Sequence, residues 1–292
     1  MSTRKPIGDQ LAKRIGNLGP IDRLAKPLGK GIRSLTSPKP ISEALSGTWL
    51  GHPVHPMLIA VPMGSWISAV LIDWLGDGDG ETSADVLVGA GLVSAVPTIA
   101  TGYNDWASGE PASDTVRRVG LVHAALNASA VGLFSASLAA RLKGDRGRGK
   151  LLALAGVSAV GAGGYLGGHL TYAKGVGVDP TTFEDYPEDW TRVLADAALG
   201  EGEMKSVEID GVPILVARVN GELHALANTC VHRGGSLADG EIEDGCVVCP
   251  LHSSTFRLSD GSVERGPAAY PQPALETRVS DGSIEVRAPV SS

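Results

Sequence analysis

Four long runs without Asp, Glu, Lys or Arg lie within residues 56–173 of the sequence. The last two runs reach the roughly 20 residues that a helix needs to cross about 30 Å of hydrocarbon. Four such runs in series are difficult to bury in one small soluble domain, which is the alternative interpretation. The sequence therefore predicts a four-helix transmembrane domain over residues 47–174. The runs are 56–72, 86–103, 119–140 and 151–173.

Charge is distributed unevenly along the chain. Residues 1–54 carry nine Lys or Arg and three Asp or Glu, whereas residues 176–292 carry eight basic and twenty acidic residues. The basic segment 1–46 is expected either to lie on a membrane surface or to be a disordered tail. The acidic C-terminal region would repel phosphates, which argues against nucleic acid as a partner. Three cysteines are too few for a disulfide framework.

Membrane topology follows from the number of crossings. Four crossings place the N-terminus and the C-terminal region on the same face of the membrane. The basic head favours the cytoplasm for that face, although residues 141–150 hold five basic residues on the opposite face. The prediction is a multi-pass cell-membrane protein with its C-terminal domain on the cytoplasmic side.

The sequence pattern changes after residue 174. Residues 175–196 are acidic and contain proline, which is typical of a linker. From 197 to 292 the chain shows short segments of alternating hydrophobicity, separated by Asp-Gly and Asn-Gly pairs that favour tight hairpins. The predicted fold class is an all-α four-helix membrane domain joined to a small all-β domain.

Two pairs of metal-ligating residues stand in the β region. Cys230 and His232 form a C-x-H pair, and Cys249 and His252 form a C-x-x-H pair, with sixteen residues between the pairs. Two thiolates and two imidazoles suit either tetrahedral zinc or an iron–sulfur cluster. Zinc ribbons usually use C-x-x-C for both pairs, so the C-x-H spacing favours the cluster.

These loops resemble those of Rieske [2Fe–2S] domains, over roughly residues 197–290. "CVHRGGSL" fits the C-x-H-x-G-x-x-L loop of that family, and "CPLH" fits its C-P-x-H loop. The resemblance implies a [2Fe–2S] cluster in which Cys230 and Cys249 hold one iron and His232 and His252 hold the other. Neutral imidazoles in place of thiolates raise the reduction potential of such a cluster.

The sequence departs from the respiratory members of that family at several positions. Gly235 and Leu251 occupy the places of two cysteines that form a disulfide there. Phe256 stands where high-potential members have a tyrosine. Ser254, by contrast, occupies the place where those members have a hydroxyl that donates to a sulfide. Fewer donors toward the sulfurs predict an intermediate or ferredoxin-like potential. Ser253 replaces the usual glycine after the second histidine, so a different local backbone is expected there.

Two further residues of the β region are not predicted to be ligands. Cys246 lies in the strand that enters the second loop and is interpreted as a buried thiol. His224 is the one spare histidine and is expected to face solvent. A mononuclear iron site needs two histidines and a carboxylate, so this region is expected to carry electrons without activating oxygen itself.

The membrane domain resembles an uncharacterised bacterial four-helix family, over residues 47–178, with a G-H-P-x-H-P-M opening and a G-G-H-L-x-Y close. Helix parity places its histidines near one leaflet, and polar residues in membrane helices are often functional. Three interpretations stay open: axial ligands of a b-type haem (His123 and His169), a quinol or metal site, or hydrogen bonds to backbone and lipid. Asn127 lies one turn after His123 and could orient it. The four histidines are His52, His55, His123 and His169.

The functional prediction is a membrane-anchored carrier of single electrons between a membrane or soluble donor and a redox partner protein. That partner is a reductase, an oxidase or an oxygenase, with quinone as a further candidate. The chain is expected to be a component of an oxidoreductase system, with no catalytic residue of its own. The alternatives are a ferredoxin that feeds a separate oxygenase and an iron–sulfur redox sensor.

Overall fold

The fold, obtained as a computed structural model, describes residues 7–76 and 78–289. The chain divides into two units. A helical unit comprises the residues up to Ser37 together with Val54–Val176, and a mainly β unit comprises Pro38–Pro53 together with the residues from Gly177 onward. The predicted combination of membrane-capable helices with a β domain is confirmed.

Four helical spans in the described part of the chain are long and apolar enough to cross a membrane: His55–Leu75, Glu81–Gly109, Asp114–Leu142 and Arg146–Ala173. The shortest has 21 residues, which corresponds to about 31 Å at 1.5 Å per residue. In chain order the helices are α1 (Ile7–Gly16), α2 (Asp22–Thr36), α3 (Lys39–Ser46, in the β unit), α4 (His55–Leu58), α5 (Ala60–Leu75), α6 (Glu81–Gly109), α7 (Asp114–Leu142) and α8 (Arg146–Gly168), followed by a π-helical turn (His169–Ala173).

An aromatic pair forms the centre of the helical core. The rings of Trp66 on α5 and Phe134 on α7 stack with their centroids 4.4 Å apart, and the Trp66 indole N–H donates to the carbonyl oxygen of Val88 on α6. Gly91 on α6 faces Trp66 and Gly156 on α8 faces Phe134, so that a side chain at either position would collide with a ring. The two glycines thus allow four helices to approach one aromatic centre.

At one end of the bundle, charged residues from all four spans form a buried network. Arg141, with no exposed side-chain surface, donates to Asp73, which is 1% exposed, and to Asp85. Arg146 bonds Asp85 at 3.0 Å, and Lys150 donates to the carbonyl oxygen of Asp73 at 2.9 Å. Residues that the sequence presents as basic loop charges therefore connect the helix ends.

At the other end, ion pairs attach the N-terminal helices to the bundle. Asp22 on α2 accepts hydrogen bonds from both Arg118 and Arg117 on α7, which hold the pKa of its carboxyl far below the ordinary value. Arg33 on α2 donates to the buried carboxylate of Glu110. Of the two interpretations of the basic segment, the disordered tail is wrong for residues 7–36, which form helices, and these pairs fix α2 against α7 and against Glu110 at the end of α6.

The β unit consists of two antiparallel sheets. The first has the order β1-β10-β9-β4-β3-β2, and the second has the order β5-β6-β7-β8. Left-handed Asp-Gly or Asn-Gly pairs close the β2–β3, β3–β4 and β9–β10 hairpins, as the sequence predicts. The strands are β1 (Thr191–Ala195), β2 (Met204–Ile209), β3 (Val212–Val219), β4 (Glu222–Ala227), β5 (Glu241–Glu243), β6 (Cys246–Val248), β7 (Thr255–Arg257), β8 (Val263–Arg265), β9 (Ala274–Ser280) and β10 (Ser283–Arg287).

The β unit includes more of the chain than the boundary expected at residue 197. Strand β1 lies inside the predicted linker 175–196 and pairs with β10, and Tyr186 packs against the core beneath that sheet. Residues 38–53, which the sequence assigns to the basic segment and the membrane domain, also belong to this unit. Acidic composition alone did not reveal that a linker segment also supplies an edge strand.

We predict that Arg141→Met destabilises the helical unit by about 3–5 kcal/mol, because it removes the nearer of the two guanidinium partners of the buried Asp73 carboxylate and leaves only Arg146, at 3.6 Å. Denaturant unfolding of the detergent-solubilised protein, followed by the helical circular dichroism signal, measures this loss. Arg148→Met is the control, since its side chain is exposed and the change should stay within about 0.5 kcal/mol. Equal losses in the two variants would contradict a structural role for the buried network.

Candidate metal centre

Two tight loops carry the predicted ligands. The first follows β4 and is closed where the N–H of Cys230 donates to the carbonyl oxygen of Gly235 at 2.8 Å. The second follows β6 and is closed where the N–H of Cys249 donates to the carbonyl oxygen of Ser254 at 2.8 Å. Each loop thereby presents one cysteine, with a histidine two or three residues later, on a backbone fixed by its own hydrogen bonds.

The two cysteines meet in the interior. Cys230 and Cys249 are both buried and share a hydrogen bond between their sulfur atoms. That bond, together with the N–H groups of Leu251 and His252, lowers the pKa of Cys249, whereas the same contact and burial raise the pKa of Cys230. One thiolate is thus favoured even without a metal, and thiolates are the ligand form of cysteine.

The two histidines stand side by side. The rings of His232 and His252 lie edge to face with centroids 5.0 Å apart, and both residues are half-buried. Nδ1 of His232 is buried and finds no hydrogen-bond partner within residues 7–76 and 78–289. Burial, His252 and Arg233 lower the pKa of His232 well below its ordinary value, so the imidazole is neutral, as a metal ligand must be.

A third loop, residues 266–271, contacts the second. The N–H of Ala268 donates to the hydroxyl oxygen of Ser254 at 3.0 Å. Directly after this loop, the buried amide of Gln272 accepts from the N–H of Val231 and donates to the carbonyl oxygen of Thr229. Gln272 therefore braces the first ligand loop, a role that sequence spacing does not reveal because its partners lie about 40 positions away.

The positions that differ from respiratory Rieske proteins fit this arrangement. A Cβ on Gly235 would lie 2.9 Å from Leu251 and 3.2 Å from the sulfur of Cys249, so glycine leaves room beside the thiol. The two loops therefore meet through a glycine–leucine contact where the relatives have a disulfide. Ser253 adopts a φ of 59°, the left-handed conformation that glycine favours, so a serine occupies this position in a backbone conformation that is unusual for it.

The donor set fits a two-iron cluster better than a single metal ion. Across residues 7–76 and 78–289, no three His, Cys, Asp or Glu side chains converge to hold one metal ion. Structural zinc requires four ligands around one point, whereas each iron of a Rieske cluster takes only two from the protein. The site meets the requirement of a two-iron cluster, since it offers one pair of cysteines and one pair of histidines. In the described residues, the buried Nδ1 of His232 also has no hydrogen-bond partner.

Comparison with known families agrees with this geometry. Residues 189–277 match the family described as "Rieske [2Fe-2S] domain", and residues 51–180 match "Predicted membrane protein (DUF2231)". Residues 189–277 form a Rieske [2Fe–2S] domain. The sequence-based identification of a Rieske domain fused to a four-helix membrane domain is therefore confirmed, and so is the cluster as its cofactor.

Several curated relatives of the Rieske domain are ferredoxin components of dioxygenase systems. The ferredoxin component of biphenyl 2,3-dioxygenase from Rhodococcus jostii (strain RHA1) is 39% identical over 66 residues, which are 23% of this chain and 62% of the relative. The ferredoxin component of the naphthalene 1,2-dioxygenase system from Pseudomonas aeruginosa is 32% identical over 24% of this chain and 66% of the relative. The chain thus spans less than two thirds of each relative. This homology implies electron transfer.

Among solved structures, the ferredoxin of carbazole 1,9a-dioxygenase from Nocardioides aromaticivorans IC177 is 25% identical. The match covers 35% of this chain and all of that one, with a TM-score of 0.33.

The structure separates the four histidines of the membrane domain. His52 belongs to the β unit, while His55, His123 and His169 belong to the helical unit. Nδ1 of His55 lies 3.0 Å from the carbonyl oxygen of Thr98, and Nδ1 of His123 lies 2.7 Å from that of Gly163. These contacts fit the interpretation that the membrane histidines form hydrogen bonds to the backbone. A haem or quinone site stays a prediction. Asn127 contacts His123, as expected.

Cys246 and His224 lie outside the Rieske ligand loops. Cys246 on β6 is half-buried, less than the buried thiol that the sequence predicted, and desolvation raises the pKa of its thiol. His224 is half-buried on β4, opposite Ala217 on β3. Both residues are strand residues, whereas the four predicted ligands occupy loops.

We predict that His252→Ala abolishes the EPR signal of the reduced cluster, because one iron loses half of its protein ligands. Cys246→Ala is the matched control and should keep the full signal. Visible spectra of the same membranes test the haem interpretation, which requires a reducible Soret band. Loss of the signal in Cys246→Ala with retention in His252→Ala would reverse the ligand assignment.

Proposed function

We propose that the protein is a membrane-anchored one-electron carrier that receives an electron from a reductase and passes it to an oxygenase-type acceptor. The observation that carries the proposal is the asymmetric burial of the Rieske ligands. Cys230 and Cys249 are buried, whereas His232 and His252 are half-buried. The histidine pair is therefore the side through which an electron reaches or leaves the cluster over the shortest distance.

The surface beside the histidine pair suits a docking partner. Leu251, next to His252, is 54% exposed, and Gly234 and Ser253 are exposed beside the ligands. An apolar tip surrounded by small polar residues resembles the core of a small transient interface. Residues 176–292 carry twenty acidic and eight basic residues, so charge complementarity favours a basic face on the partner.

The relatives support an oxygenase-type acceptor over the alternatives. Their names describe ferredoxin components of dioxygenase systems. A membrane quinol is the competing donor, because the cluster is attached to a membrane domain. Stopped-flow reduction of the protein in nanodiscs distinguishes them: a soluble NAD(P)H-dependent reductase should reduce the cluster faster than quinol does. Faster reduction by quinol would overturn the proposed donor.

We predict that Leu251→Asp slows electron transfer from the reduced cluster to an acceptor protein about tenfold or more, since it adds a repulsive, desolvated charge to the docking tip. Val279→Asp is the matched control, because Val279 is 50% exposed on β9 and lies far in sequence from the predicted cluster ligands. Stopped-flow oxidation of the cluster measures both rates. An equal effect of the two substitutions would exclude Leu251 as part of the docking site.

The surface of α2 supports the membrane as a partner. Leu24, Leu28 and Leu35 recur at helical spacing and are exposed as one apolar stripe, while Ala25 and Gly29 pack against the bundle. The exposed basic residues of α2 are Arg23, Lys26 and Lys30. An apolar stripe beside basic side chains is typical of a helix at the interface of an anionic leaflet.

The pairing of basic residues also bears on the orientation of the protein in the membrane. Of the five basic residues in 141–150, Arg141 is fully buried and Arg146 is paired with Asp85 and Glu81. These two are engaged within the protein, whereas the basic stripe of α2 remains exposed to headgroups. The positive-inside rule then favours the cytoplasm for the N-terminal face, and so for the Rieske domain.

We predict that green fluorescent protein fused to the C-terminus fluoresces in cells, while alkaline phosphatase fused at the same place is inactive. The reason is that each reporter works on only one side of the membrane. Fusions in the loop at 143–145 should give the reverse pattern. Active phosphatase at the C-terminus would place the Rieske domain outside.

A further inference from the structure

Residues 47–52 reach the Rieske domain from outside its family boundaries. They precede the first membrane helix, and Thr48 lies outside both matched ranges, 51–180 and 189–277. This segment nevertheless belongs to the β unit. We call residues 47–52 the strap.

Thr48 in the strap holds the third loop of the metal centre. Its hydroxyl donates to the carbonyl oxygen of Ala268 at 3.0 Å and is half-shielded from solvent. A Cβ on Gly266 would lie 2.7 Å from the same hydroxyl oxygen, so a glycine is needed for this close approach. The hydrogen bond therefore depends both on the hydroxyl of Thr48 and on the lack of a side chain at Gly266.

From Ala268 the connection continues to a cluster ligand. The N–H of Ala268 donates to the hydroxyl oxygen of the fully buried Ser254, and the carbonyl oxygen of Ser254 accepts from the N–H of Cys249 at 2.8 Å. Three hydrogen bonds thus link Thr48 to the backbone of Cys249. Buried bonds of this kind are costly to break, since each leaves a donor or acceptor unsatisfied.

A second contact holds the same loop. The ring of His52 meets the ring of Tyr270 edge to face, with centroids 5.7 Å apart. This geometry is favourable for aromatic pairs. The strap consequently contacts the third loop at two points, Ala268 and Tyr270, which are two residues apart on a six-residue loop.

We propose that Thr48 and His52 are positioning residues for the [2Fe–2S] site, which hold loop 266–271 against the second ligand loop. The strap takes the place of a clasp that the ligand loops themselves lack, since Gly235 and Leu251 cannot form a disulfide. Electron donors and acceptors do not enter this inference, so it stands or falls independently of the proposed function.

Hydrogen exchange on the full-length protein in nanodiscs tests the proposal. In Thr48→Val, which keeps the shape and removes the donor, the amides of Ala268 and Cys249 should exchange about five- to tenfold faster than in the wild type. The EPR spectrum of the reduced cluster should broaden and its midpoint potential should shift, because the second ligand loop samples more conformations. Thr48→Ser keeps the hydroxyl and should restore all three readouts.

The matched control is Thr277→Val. The Thr277 hydroxyl also donates to a backbone carbonyl of the β unit, that of Leu223 at 2.9 Å, but it lies on β9 away from the strap. This variant should leave the EPR spectrum, the midpoint potential and the exchange of Ala268 and Cys249 unchanged. Wild-type exchange and EPR in Thr48→Val, or the same changes in Thr277→Val, would overturn the positioning role.

Discussion

The metal centre depends on buried hydrogen bonds that hold separate loops in one arrangement. Gln272, 1% exposed, uses its amide to accept from Val231 and to donate to Ala227 and Thr229, so its buried polar atoms are satisfied by one short segment. That segment contains Cys230, and His232, the second predicted ligand of the first loop, follows it directly. Since a cluster tolerates ligand displacements of only a few tenths of an ångström, bracing of the loops is as necessary as the ligands themselves.

Paired polar groups also hold the helical unit together. Hydrocarbon offers no partner for a charge, and in the part of the chain that the structure describes the buried charged side chains of the helical unit lie at the two ends of the bundle, where they are paired. Arg141 joins Asp73 and Asp85 at one end, and Asp22 joins Arg117 at the other. Between them the core is apolar and aromatic, around Trp66 and Phe134. The paired ends determine which helices are neighbours, and the glycines determine how closely they approach.

Much of the fold and of the metal site could be predicted from the sequence, because the signals for them are local. The C-x-H and C-x-x-H spacings, the Asp-Gly and Asn-Gly hairpins and the four apolar runs each lie within a short window of sequence. Partners far apart in sequence were not predictable: Gln272 braces Val231 across 41 positions, and Arg141 pairs with Asp73 across 68. The same limit explains why the sequence left the form of the basic segment open, since the ion pairs of α2 with Glu110 and Arg117 span 77 and 95 positions. The reduction potential stays a prediction.

Chain connectivity between the two units differs from the single linker that the sequence predicts. The chain passes between the units after Ser37, after Pro53 and after Val176, so three connections join them. The G-H-P-x-H-P segment is divided by the second of these, with His52 against Tyr270 in the β unit and His55 against Thr98 in the helical unit. One short motif therefore contributes contacts to both units, which is why sequence spacing alone could not show that its two histidines have different surroundings.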